Sequence, residues 1–257
     1  MKKAYIVVIS TVTVLCIVIG TMAHVGGWFN GFTFDGSLEG ASEYSEELTA
    51  FRSLDIEADV MSVTIKKGDR FHISYRATDS MKPKFAVKGE TLVVTQPEKK
   101  RFFGNLFGNK KCEMTLTIPE GVQLTRTEFN LDVADLKIAD LAADQMKIVT
   151  DVGNVEMVSC TGNRLEAESD VGNVDIRSSA FKDMEIESDV GNVYVSGLGE
   201  LSAYTIGLST DIGKVTVNGE KCKKQFNQTA VKDNDGRRLI VETDTGNIEI
   251  DEGTTSQ

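Results

Sequence analysis

The stretch LEAESDVGNVDIRSSAFKDMEIESDVGNVYV, residues 165–195, holds the phrase DVGNV twice, at 170–174 and again at 189–193. A third copy stands at 151–155, one further step of the same size upstream. Looser copies read DIGKV at 211–215 and DTGNI at 244–248, while DVADL at 132–136 keeps the same step and DVMSV at 59–63 is more distant. A fixed period of roughly 20 residues points to a solenoid built from one small supersecondary unit.

The flanks obey the same frame. Five and three residues before the Asp come Met146 and Ile148, Leu165 and Ala167, Met184 and Ile186. Four and six residues after it come Val155 and Met157, Val174 and Ile176, Val193 and Val195. A period of two on each side predicts two strands, each with one apolar face. The apolar parity shifts across the motif, so a corner is expected at Gly153–Asn154, Gly172–Asn173, Gly191–Asn192, Gly213 and Gly246–Asn247. Gly and Asn tolerate the positive φ such a corner needs. Asp151, Asp170, Asp189, Asp211 and Asp244 are expected to close it by accepting backbone N–H bonds. The predicted fold class is all-β. It is a β-solenoid of stacked two-strand coils, each one repeat long, behind one N-terminal transmembrane helix.

The recurrent S/T-D-x-G-N-V/I phrase resembles the bacterial toastrack, or adhesin-like, β-strand-repeat domain. So do TLTIPEGV at 115–122 and the opening FRSLDIEADVMSVTI at 51–65. The resemblance covers roughly residues 50 to 252. It implies a β-solenoid, frequent attachment to one membrane helix and envelope-stress or regulatory contexts in Gram-positive and other bacteria. It carries no catalytic motif.

Five segments are expected. Residues 1–3 form a cytoplasmic stub. Residues 4–23, AYIVVISTVTVLCIVIGTMA, carry no charge and suit a membrane anchor, because 20 helical residues span about 30 Å. A cleaved signal peptide is the rival reading. Lys2 and Lys3 would stay inside, leaving the rest extracytoplasmic on the cell membrane. Residues 24–50 read as a juxtamembrane stalk with a short helix near Glu43, 51–252 as the solenoid and 253–257 as a tail. Between the repeats and the stalk, strands are expected over 71–77, 84–87, 91–96 and 112–118, extending or capping the N-terminal end.

The formal charge is −11. An acidic chain lacks the basic footprint that nucleic acid requires. Two histidines, with no hydrolase, phosphate-loop or zinc signature, argue against an enzyme. Outside the apolar span, Cys112, Cys160 and Cys222 allow at most one disulfide and do not identify a pair.

Two constellations remain. Glu166, Glu168 and Asp170 should stack on Glu185, Glu187 and Asp189, bringing like charges to strand spacing. Ca²⁺ bridging these carboxylates is one reading and a solvated acidic face the other. No other cofactor is expected. The second is KKRFFGNLFGNKK at 99–111, with five bases, three phenylalanines and no acid. Lys99, Lys100, Arg101, Phe102, Phe103, Phe107, Lys110 and Lys111 suit an anionic lipid, an acidic wall polymer or a membrane signalling protein. The alternative is a hairpin tip whose aromatics cap the core. The resulting expectation is an anchored, non-enzymatic binding or sensing module, or else a structural, adhesive one.

Overall fold

The alternating pattern that defines each repeat is realised as strands throughout. The computed structural model describes residues 41–96, 112–230 and 236–253. In chain order the N-terminal part forms β1 (Ala41–Glu47), β2 (Ser53–Val60), β3 (Ser62–Gly68), β4 (His72–Thr78), β5 (Lys84–Lys88), β6 (Thr91–Thr95) and β7 (Glu113–Pro119). The repeats form β8 (Gln123–Val133), β9 (Leu136–Ala139), β10 (Ala142–Val152), β11 (Val155–Val158), β12 (Thr161–Val171), β13 (Val174–Arg177), β14 (Ala180–Val190) and β15 (Val193–Ser196). The C-terminal part forms β16 (Thr205–Ile212), β17 (Val215–Val217), β18 (Glu220–Lys221), β19 (Gln225–Gln228), β20 (Arg238–Thr245) and β21 (Ile248–Asp251).

Each coil contributes its first strand to one sheet and its second strand to the other. The two sheets have ten and eleven strands. Successive coils pair in parallel and in register, as Leu165 with Met184 and Val174 with Val193. The apolar residues of both flanks face the space between the sheets. Ile148, Leu165, Ile186, Val174, Met157 and Val195 are all buried, and one continuous cluster runs through the whole stack. Such burial supplies about 1.5–3 kcal/mol per large side chain, which no single coil could gain alone.

Two features depart from a simple stack. The C-terminal coil, β20 with β21, does not lie at the end. It slots between β14–β15 and β16–β17, pairing in parallel with both. At the other end, β6 and β7 form a coil beneath β2 and β3, pairing in parallel with them. Antiparallel β1, β4 and β5 then close that end, as β18 and β19 close the opposite one. Caps of this kind blunt edges that would otherwise recruit further strands.

The stalk reading needs correcting between 41 and 47. This segment is not helical. Ala41–Glu47 is an edge strand along β4, with Tyr44 stacked on Tyr75 at 5.0 Å and beside Phe85. The period-two alternation of ASEYSEE is obscured in the sequence because its residues are mostly exposed. The apolar 4–23 segment and the basic 99–111 segment lie outside the described residues. Among the described residues, no helix is long and apolar enough to cross a membrane. Cys112 and Cys160 are buried free thiols and Cys222 is a partly exposed one.

Candidate functional site

The repeated phrase builds a corner whose rows run the length of the stack. At each corner the asparagine is the connecting group. The side-chain oxygen of Asn154 accepts the backbone N–H of Asn173 at 3.1 Å and its side-chain N–H at 3.3 Å. Asn173 serves Asn192 in the same way, and Asn192 serves Asn247. The ladder starts at Asp135, which accepts both N–H groups of Asn154. It ends at Lys214, whose backbone N–H donates to Asn247. A carboxylate can only accept, so Asp suits the first rung. Lys has no side-chain oxygen to offer a next coil, so its coil suits the last.

The Asx turn expected from the Asp residues is therefore replaced by this asparagine ladder. Asp151, Asp170, Asp189, Asp211 and Asp244 are instead exposed. The glycines of the corner are required by close approach. A Cβ on Gly172 would sit 1.8 Å from the Gly153 carbonyl oxygen, at a φ of +155°. Gly153, Gly191, Gly213 and Gly246 face the same obstruction from the neighbouring coil.

Outside the core, like residues align in rows. The sheet register stacks Glu166 on Glu185 and Glu168 on Glu187, as the spacing implied, with Asp170 between Asp151 and Asp189. The rows differ in how they are balanced. Arg164 bridges Asp183 at 2.8 Å and Glu185 at 3.4 Å, and also pairs with Glu166. Arg238 bridges Asp183 at 2.7 Å and Glu185 at 3.0 Å. Lys147 reaches Glu168 at 3.2 Å. Cations thus knit the rows far from the corner. Towards the corner, Asp151, Asp170 and Asp189 stand in a column of like charge. Partial burial, then Asp151, Asp189 and Glu168, hold the Asp170 carboxyl above its ordinary value. Burial, then Glu168, Glu185, Glu242 and Asp189, do the same to Glu187. Among the described residues, no group of three or more His, Cys, Asp or Glu side chains is arranged to hold a metal ion.

The residue after each Asp was not singled out by the sequence pattern. Strict alternation would turn it inward beside buried Thr150 or Ser169. The chain bends there instead, and the side chain stays outside. Val60, Val133, Val152, Val171, Val190, Thr245 and Ile212 follow one another across the coils in register. Val133, Val152 and Ile212 are 42%, 43% and 66% exposed. In the sequence the position reads as one more inward step of the same alternation, so the pattern alone does not turn it out.

The described residues that flank the basic segment fall at this same edge. Gln96 donates its backbone N–H to Glu57, and Cys112 accepts from Ser62. Glu57 and Ser62 bracket the corner between β2 and β3. Lys99–Lys111 themselves lie outside the described residues.

A family model described as Toastrack DUF4097 matches residues 51–207 and 122–251. Among solved structures, a candidate cell adhesion protein from Clostridium sporogenes is 16% identical, with a TM-score of 0.53, over 82% of this chain and 99% of its own. A candidate adhesin from Bacteroides fragilis is 15% identical, with a TM-score of 0.46, over 82% of this chain and 96% of its own. No curated protein is significantly similar in sequence.

Proposed function

The chain belongs to the Toastrack DUF4097 family, and from that premise we propose that it is a non-enzymatic binding module, held outside the cell membrane by residues 4–23 as an accessory in envelope regulation. The observation that carries this reading is the arrangement of its ionisable groups. They stand in parallel rows on a sheet face, knitted by Arg164 and Arg238 rather than converging on a reactive point. Rows of this kind suit recognition of an extended partner, whereas acid–base chemistry needs groups gathered around one substrate. On this reading regulation acts laterally, on another membrane protein. Pull-down of the full chain from native membranes tests this. Recovery of a sensor kinase or transporter, retained after high-salt washing of lipids, supports it. Recovery of lipid or wall material alone counts against it.

The second reading is a rigid surface module for adhesion. What favours it is the likeness in fold to the candidate cell adhesion protein from Clostridium sporogenes. It predicts that a deletion strain loses attachment without a change in envelope-stress transcription.

A further inference from the structure

From Asp151–Val152 to Asp211–Ile212, the aspartate column and the row of residues that follow it lie side by side, one residue apart in each coil. Of the four large apolar side chains exposed among the described residues, Val133, Val152 and Ile212 fall in this one row. Beside them run Asp151, Asp170, Asp189 and Asp244, joined through the register. Lys147 and Arg164 engage Glu166, Glu168, Asp183 and Glu185, and Lys224 reaches only the end of the column, at the Asp211 carbonyl. Isolated exposed apolar residues are ordinary, but here half-buried Val171 and Val190 and then Thr245 link exposed Val152 to Ile212 beside a column of one sign, which makes a patch with a chemistry. The five coils from Val152 to Ile212, at about 4.8 Å each, give a strip about 19 Å long, matching about six extended residues.

We infer that this strip docks a partner protein segment carrying both basic and apolar side chains, the bases against the aspartates and the apolar groups against the valines. Charge complementarity selects the occupant. Anionic lipid, acidic wall polymer and nucleic acid are all repelled by the column, and a bare cation leaves the valines uncovered. Desolvation first, and then the like charges of Asp151, Asp189 and Glu168, raise the Asp170 carboxyl, and an approaching base relieves the second of these. The inference rests on the chain being a binding module and not on its anchor, so the test is made without other membrane proteins.

The full chain in nanodiscs of neutral lipid is titrated with three peptides of equal length: alternating Lys-Leu, all-Lys and alternating Glu-Leu. The expected result is tight binding of Lys-Leu, at least tenfold weaker binding of all-Lys and none of Glu-Leu. Val152→Ser with Ile212→Ser, and separately Asp151→Asn with Asp170→Asn and Asp189→Asn, each weaken Lys-Leu binding at least tenfold. All five positions are exposed, and melting curves confirm that the variants are folded. On the unaltered chain, raising salt to about 0.5 M also weakens Lys-Leu binding. Equal binding of all-Lys and Lys-Leu, or binding unchanged by both variants, overturns the inference. So does self-association of the chain without peptide that Ile212→Ser abolishes, which would make a second copy the occupant. Binding that appears only after residues 99–111 are deleted would make the chain's own basic segment the occupant and overturn it equally.

Discussion

Every coil turns twice, and the two corners are built on different principles. The first, at Gly172–Asn173 and its equivalents, demands particular side chains. Its glycine has a neighbouring carbonyl where a Cβ would be, and its asparagine must both accept from one coil and donate to another. The second corner passes through Asp140, Ser159, Ser178 and Gly197, all left-handed, with φ of 55°, 56°, 49° and 75°. Its backbone N–H groups bond directly to carbonyls of the next coil, as Ser178 to Ser196 at 2.8 Å. It asks only for a tolerated positive φ, at about 1 kcal/mol for a non-glycine residue. One corner is therefore written as an invariant phrase and the other leaves almost no mark. Repetition in the sequence reports stacked side-chain contact, not turning as such.

The largest effect should come from Gly172→Ala, because its neighbour is backbone and cannot give way. We expect a loss of about 3 kcal/mol or more, seen as a much lower denaturant midpoint, by analogy with other steric and backbone lesions. A loss below about 1 kcal/mol would erase the distinction between the corners. Next is Asn173→Ala. It removes the side-chain bond to Asn154 and the acceptor of both N–H groups of Asn192, and should cost about 1–3 kcal/mol in equilibrium unfolding. By contrast, Ser178→Gly relieves a positive φ and should shift stability by less than about 1 kcal/mol, towards stabilising.

The inner side of the first corner sharpens the comparison further. Thr210 donates to the Gly246 carbonyl at 2.9 Å and Thr243 to that of Gly191 at 3.4 Å. The equivalent hydroxyls of Thr150, Ser169 and Ser188 are buried without a protein partner. Ser188→Ala should therefore be near neutral or slightly stabilising. Thr210→Val should cost about 1 kcal/mol, by leaving a carbonyl unpaired.

The smallest effect concerns pH. Asp170 has its carboxyl raised in the folded chain, so the fold holds that proton more tightly than the unfolded chain does. Its contribution is favourable at low pH and is lost as pH rises from the ordinary carboxylate range through the raised value. Asp170→Asn should flatten that part of the stability profile. A steeper decline in the variant would contradict the sign. Thiol reactivity is a companion check on burial. Desolvation pushes the Cys112 thiol up to about 12, so among the described cysteines Cys222 should alkylate in the native state, with Cys112 and Cys160 following only on unfolding.

Much of the fold was legible in the sequence. The residues flanking each Asp are buried as the period-two pattern implied, and the strands at the N-terminal end close the stack as expected. The coil order was not read, although its trace was there. DIGKV has Lys214 where the other late copies have Asn, and a coil that cannot continue an amide ladder belongs at its end. The partner-facing row was missed for a related reason. Val152 and Ile212 look like core residues by composition, and only the bend after each Asp turns them out.

The last rungs of the ladder depend on the C-terminal coil lying between its two neighbours. Cysteine crosslinking tests that directly in a Cys222→Ser background. Glu187→Cys with Glu242→Cys joins residues that face each other across paired strands, within the reach of a disulfide. Glu187→Cys with Ser209→Cys spans two strand spacings, about 10 Å, because Glu242 lies between. The account predicts rapid, near-complete oxidation of the first pair and none of the second. Crosslinking of the second pair in place of the first would mean that the coils stack in chain order, would set Lys214 between Asn192 and Asn247, and would break the ladder at that coil.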